Sequence, residues 1–203
     1  MSNKVKRRHE LRPPERYEPD TSKYRGSIPG IADGWCTPED AAEYKRLASE
    51  VHNGQIIEIG AYEGLSLYHI KDICAANNTK LQCVDFIAWD RLVENCLLWD
   101  IDFHHKASVD AALDFPDEFF DLIYIDADHH KSEAAWDIWA WLPKLKKTGT
   151  IAGHDFDNTN LKRALAYVFG SREAGFYTLG GEVWSLKEPH NKVICWPEQA
   201  IYD

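Results

Sequence analysis

The sequence is short of cations: 23 lysines and arginines face 33 aspartates and glutamates, leaving a net charge of −10. It also lacks any long apolar run. No stretch approaches the roughly 20 apolar residues of a membrane-spanning helix, and the charged N-terminus has no apolar signal core, so a cytoplasmic protein without a membrane partner is expected. The five cysteines, Cys36, Cys74, Cys83, Cys96 and Cys195, are scattered, with no Cys-x-x-Cys pair to hold zinc or run redox chemistry, and are expected to be free thiols. There is no Gly-x-Gly-x-x-Gly fingerprint of a dinucleotide site, and no short His-x-His cluster of the kind that metal-dependent hydrolases concentrate.

The charge that is present is uneven. Residues 1–25 hold eight lysines and arginines against four acids, so a tail of +4 precedes a body of −14. A nucleic-acid surface would be basic, and this body is the opposite; a small-molecule substrate is expected and no nucleic acid. Residues 1–30, with Pro13-Pro14, Pro19 and Pro29-Gly30, predict a basic, irregular N-terminal tail, either solvated or settled on its own acidic body. Residues 31–203 are expected to form one domain, because a chain of this length at 44% hydrophobic content buries one sizeable core.

Thr37-Pro38-Glu39-Asp40 reads as an N-cap, a proline in the first turn and acids at the positive helix end, predicting a helix to about Val51. Apolar runs then alternate with amphipathic segments: strands at 55–60, 81–86, 101–104, 120–126 and 149–154, helices at 65–76, 89–98, 108–114, 131–142 and 159–169. The ending differs. Residues 175–179 and 182–186 are separated only by Gly180-Gly181, a hairpin turn. The expected fold class is α/β, Rossmann-like and doubly wound, a mostly parallel seven-stranded sheet with a C-terminal antiparallel hairpin.

After the first strand comes Glu58-Ile-Gly60-Ala61-Tyr62-Glu-Gly64-Leu-Ser66. Glycines there let the chain turn sharply and let backbone amides approach a ligand, while Glu58 puts a carboxylate where a diphosphate would otherwise lie, which suits a ligand with an ammonium group. Asp85, 25 residues beyond Gly60 at the end of the second strand, can accept both hydroxyls of a ribose. Ser108, after the third strand, is placed to line an adenine or to cap a helix.

These segments, with Gly34-Trp35-Cys36-Thr37, Tyr124 to His129 and Ala152 to Phe156, occur in an order that resembles the class I S-adenosylmethionine-dependent methyltransferases. The resemblance is to a small bacterial and phage group related to metal-dependent O-methyltransferases. It implies S-adenosyl-L-methionine as cofactor, held by Glu58, Gly60, Ala61, Tyr62, Gly64, Ser66, Asp85, Phe86, Ser108 and Asp126.

Asp126 and Asp155 end adjacent strands, and two acids so placed repel unless a cation or proton intervenes. Oxygen ligands favour Mg²⁺, with Asp126 and Asp155 as metal ligands and His154 as a third that would soften the site. The alternative is two carboxylates bonded only to loop amides. The resemblance places His129, three positions beyond Asp126, as general base; His130 reads as a cap or solvent-facing, and His104 and His105 as structural. Trp136, Trp139 and Trp141 follow a helical stripe that fits core packing or an interface with a second copy. The expected activity is methyl transfer to an oxygen of a small hydroxylated molecule. A non-catalytic cofactor-binding protein is the alternative, and a hydrolase a weaker one.

Overall fold

The computed structural model describes residues 27–127, 131–171 and 177–194. The tail expected over 1–30 therefore lies, up to residue 26, outside the described residues, as do His129, His130 and Cys195. The elements run α1 (Pro38–Ser49), β1 (Gln55–Ile59), α2 (Leu65–Ala76), β2 (Lys80–Asp85), α3 (Asp90–Trp99), β3 (Asp102–His105) and α4 (Ser108–Ala112). They continue with β4 (Phe120–Ile125), α5 (Lys131–Trp141), β5 (Leu145–Gly153), α6 (Thr159–Phe169), β6 (Thr178–Gly180) and β7 (Val183–Lys187). Among the described residues no helix is long and apolar enough to cross a membrane.

The seven strands pair in the order β3-β2-β1-β4-β5-β7-β6, parallel up to β5, with β7 antiparallel to both β5 and β6. Alternation along the strands divides the core. Ile57 and Ile59 of β1 and Ile123 and Ile125 of β4 face α4, α5 and α6, whereas Ile56, Leu122 and Tyr124 face α1, α2 and α3. A sheet covered on both sides needs strands apolar on both sides, and β1 is buried at Ile56, Ile57, Glu58 and Ile59. The tryptophan stripe of α5 is core at Trp139 and Trp141, with Trp136 at its exposed border.

Most boundaries fall within two residues of the sequence expectation, and one departs further. β5 starts at Leu145, four residues early, because the Lys146 ammonium pairs with Asp121 at 2.8 Å and a register irregularity between Phe120 and Leu122 accommodates the extra turn of pairing. β6 is described over Thr178–Gly180, and residues 175 and 176 of the expected strand lie outside the described residues. At the near end of the domain, Ile28 and Ile31 pack on Ala32, Cys36, Ala41 and Leu65, and the Asn95 amide donates to the Ile31 carbonyl at 2.9 Å.

The order in which strands are added to the sheet reverses between the parallel neighbours β1 and β4, the position where a doubly wound sheet opens a crevice at its carboxyl edge. There the Gly60 amide donates to the Val84 carbonyl and the Asp126 amide to the Ile59 carbonyl, both at 2.8 Å, which locks the first residue beyond each strand. Gly60 has φ +89°, and a Cβ built on it would lie 2.2 Å from the Asp126 carbonyl oxygen. Gly60→Ala is therefore expected to destabilise the fold by at least about 2 kcal/mol through backbone strain and clash. Chemical denaturation measures this, and an unchanged midpoint would refute the close approach.

Candidate active site

The site starts from a helix cap. Thr37 and Asp40 form a reciprocal capping box at the start of α1: the Thr37 amide and hydroxyl donate to Asp40 Oδ2 at 2.8 and 2.7 Å, and the Asp40 amide donates to Thr37 Oγ1 at 3.2 Å. The same carboxylate reaches the other end of the chain, where Asp40 Oδ1 accepts the Glu182 amide at 2.8 Å. Gly181 permits this, since a Cβ there would lie 2.2 Å from Asp40 Oδ1. Burial would raise the Asp40 pKa, but the adjacent His154 ring and the hydrogen bonds from Thr37 and the Glu182 amide outweigh it and hold the carboxyl down at about 2.

His154, just past β5, is 8% exposed. Its Nε2 lies 3.2 Å from Asp40 Oδ2, an ion-pair contact without hydrogen-bond alignment, and its Nδ1 lies 3.5 Å from Asp155 Oδ2. Burial disfavours the charged ring, but Asp155 and Asp40, with the charge of Asp126 adding, lift its pKa to about 11. The donor atoms of Asp126, His154 and Asp155 all lie within 4.8 Å of one another, so the structure brings the three expected metal ligands together. Without a cation the buried ring is held protonated between Asp155 and Asp40, so an ion on Asp126 and Asp155 would have to displace a ring proton before His154 could serve as the third ligand.

The loop after β1 carries Ala61 and Tyr62, and Gly64 holds the N-cap position of α2. The Tyr62 amide donates to Asp85 Oδ2 at 2.9 Å and the Ile87 amide to Asp85 Oδ1 at 2.8 Å, so Asp85 ties the glycine loop to the loop after β2. Burial raises its pKa in spite of these bonds. The Tyr62 ring meets Trp89 edge-on at 4.9 Å and Trp35 at 5.6 Å. Glu58 is fully buried and accepts the Ser66 hydroxyl; burial, with the Asp126 charge adding, lifts its pKa to about 8. Ser66 borders the cleft, and Glu58 lies behind it.

These parts enclose a cavity of about 550 Å³, bounded by Asp33 to Cys36, Asp40, the Gly60 to Tyr62 turn, Leu65 and Ser66, Asp126 and Ala127, His154 and Asp155, Asn158 and Glu182. Asp85, Phe86 and Ser108 stand outside it. Phe86 is 73% exposed. Ser108 is not the helix cap, a position taken by Ala107; its hydroxyl accepts the Trp141 indole N–H at 2.9 Å. His104 and His105 are structural, bonded to the Gln82 side chain and the Phe86 carbonyl. The Cys36 thiol is pushed up to about 12 by burial, which disarms it as a nucleophile. Asp33, Asp40, Asn158 and Glu182 were not anticipated as site residues. Asp40 and Asn158 had local signals, a capping box and an N-cap position.

A family profile described as a methyltransferase domain matches residues 57–156, a stretch that contains the glycine loop, Asp85, Asp126 and Asp155. Among solved structures, a Corynebacterium glutamicum protein aligns with a TM-score of 0.61 at 16% identity, covering 76% of this chain and 82% of its own. The TDP-rhamnose 3′-O-methyltransferase CalS11, an enzyme in calicheamicin biosynthesis, aligns at 0.56 and 16% identity over 72% of this chain and 76% of its own. A protein of Staphylococcus aureus described as a candidate caffeoyl-CoA O-methyltransferase aligns at 0.54 and 16% identity, over 72% and 82%. At these identities the likeness is one of fold. No curated protein matches the sequence.

The Asp40–His154 pair makes stability depend on pH in both directions. His154 binds its proton more tightly when folded, with a pKa of about 11 against 6.5, so its contribution is complete below about pH 6.5 and fades as pH rises toward 11. Asp40 contributes fully above its ordinary 3.8, and that contribution is lost as pH falls toward about 2. The melting-temperature gap between wild type and His154→Gln is expected to be widest near pH 4–6.5 and to shrink steadily on the alkaline side. Thermal denaturation followed by circular dichroism tests this; a gap that stays constant to about pH 10 would show that His154 is not held as a cation.

Proposed function

We propose, from the premise that residues 57–156 form a methyltransferase domain, that the chain transfers the methyl group of S-adenosylmethionine to an oxygen of a small hydroxylated molecule. One observation carries the reading: at the sheet's switch point the glycine loop opens into a cavity shared with Asp126 and Asp155, which end neighbouring strands. The donor would lie along the Gly60 to Tyr62 turn with its charged end toward Asp126, its ribose toward Asp85 and its adenine toward the exposed Phe86 and Ile87 side chains. Gly64 shapes the turn, and Ser66 relays Glu58 to the cleft.

The remaining half of the cavity would hold the acceptor. Catalysis would rest mainly on holding donor and acceptor in line, since pre-paid positioning is worth several orders of magnitude in rate. His154 is a poor base, being already protonated around neutral pH; His129, which lies outside the described residues, remains the proposed base from its place three positions after Asp126. A magnesium ion, when bound, would be held by Asp126 and Asp155 and would lower the pKa of the acceptor hydroxyl. The oxygen acceptor draws support from the O-methyltransferase names of two structural relatives.

Two measurements test the reading. Asp85→Asn keeps an acceptor for the loop amides but removes the charge, and is expected to weaken S-adenosylmethionine binding by at least about tenfold in calorimetry. Unchanged affinity would remove Asp85 from the cofactor site. Excess EDTA is expected to abolish turnover while sparing cofactor binding, with Asp155→Asn behaving alike; full activity in EDTA would eliminate the metal.

A further inference from the structure

We propose that the acceptor carries a protonated amine beside its hydroxyls, as an aminated sugar or amino alcohol does, and that the cleft rejects acceptors bearing phosphate or carboxylate. The inference rests on the methyl-transfer reading of the same cleft.

Three independent features point to it. The first is charge. Asp33, Asp40, Asp126, Asp155 and Glu182 all line the cavity, and among its described lining residues there is no lysine or arginine. His154 is already engaged by Asp40 and Asp155, and a divalent ion would engage Asp126 and Asp155. Either way, Asp33 on the loop before α1 and Glu182 on the hairpin turn still present negative charge to whatever enters.

The second feature is the closure of the sites that ordinarily take anions. A helix N-terminus binds phosphate through free backbone amides. Two helices begin at the acceptor half of this cleft, and each is sealed by its own side chain. Asp40 and Thr37 cap α1 reciprocally, and Asn158, itself a lining residue, accepts the Asn160 and Leu161 amides of α6 at 2.8 and 3.4 Å. An entering phosphate would meet carboxylates, and the Asp40, Asn160 and Leu161 amides at these helix starts are already taken.

The third is aromatic. Trp35, 38% exposed, lies two residues from Asp33 and tilts against Tyr62 at 5.6 Å. An indole face beside a carboxylate attracts an ammonium group by its quadrupole as well as by charge, and offers an apolar surface to a sugar ring.

The test is calorimetric titration of the full-length protein, with and without S-adenosylhomocysteine, using probes on one ring: glucosamine, glucose, N-acetylglucosamine, glucose 6-phosphate and glucuronic acid. Glucosamine is expected to bind at least about tenfold more tightly than the neutral sugars, and the two anions not measurably. Asp33→Asn combined with Glu182→Gln should erase most of that preference without altering S-adenosylhomocysteine affinity. The Glu182 amide and carbonyl make that residue's structural bonds, so its side chain can be changed without breaking them. An anionic probe binding as well as glucosamine, a preference untouched by the double variant, or no binding by glucosamine would each overturn the inference. Failure of S-adenosylhomocysteine to bind would overturn the methyl-transfer reading instead, while the cofactor-free titrations still decide the charge preference.

Discussion

A single buried carboxylate, Asp40, holds the candidate site together. It closes the first turn of α1, fixes the turn between β6 and β7 through the Glu182 amide, and faces the imidazolium of His154 at the end of β5. A buried charge is costly unless hydrogen bonds and an opposite charge surround it, and here three segments of chain supply them together. The geometry of each segment is thereby conditional on the other two. The side of the cavity lined by Asp40, His154 and Glu182 is made of these same segments, so the pocket and the ion pair stand or fall together.

The acids of the cleft divide their work by environment. Glu58 is sealed under Ser66 and pushed toward its neutral form, Asp85 is spent on the amides of Tyr62 and Ile87, and Asp126 and Asp155 converge on open cavity. Similar side chains at four strand ends thus become a buried proton carrier, a loop tie and a pair of oxygen donors. The difference comes from what each one is packed against, since strand register places them all at one edge of the sheet.

What was legible in the sequence is what is local. The span Leu65–Ala76 of α2, the strand that carries Asp85 and the presence of the C-terminal hairpin could be read because periodicity and turn chemistry are written within a few neighbours, although the turn closes on Gly181-Glu182, one residue beyond the expected Gly180-Gly181. So could the gathering of Asp126, His154 and Asp155, which follows from two adjacent strand ends. The rest depends on partners far away in sequence. The charge of the His154 ring in the ion-free site depends on Asp155 beside it and on Asp40, over a hundred positions earlier. Ser108 looked free to cap α4 or meet a ligand until Trp141, 33 residues on, occupied its hydroxyl. Asp33 and Glu182 carry no motif, and only the folding of α1 against the hairpin brings them to one cavity.

The bond from the Glu182 amide to Asp40 spans 142 residues of sequence. A chain made from its N-terminus onward can pair β1 with β2, and later β4, while synthesis continues, but it has no hairpin with which to satisfy Asp40 until almost the whole domain has emerged. Contacts of such long sequence separation are slow to form because the loop they close is large. The side of the cleft that Asp40 and Glu182 line accordingly cannot be completed before the hairpin is present. A nascent or truncated chain that has assembled its glycine loop would offer half a binding site, with the ion pair that shapes the other half still unmade.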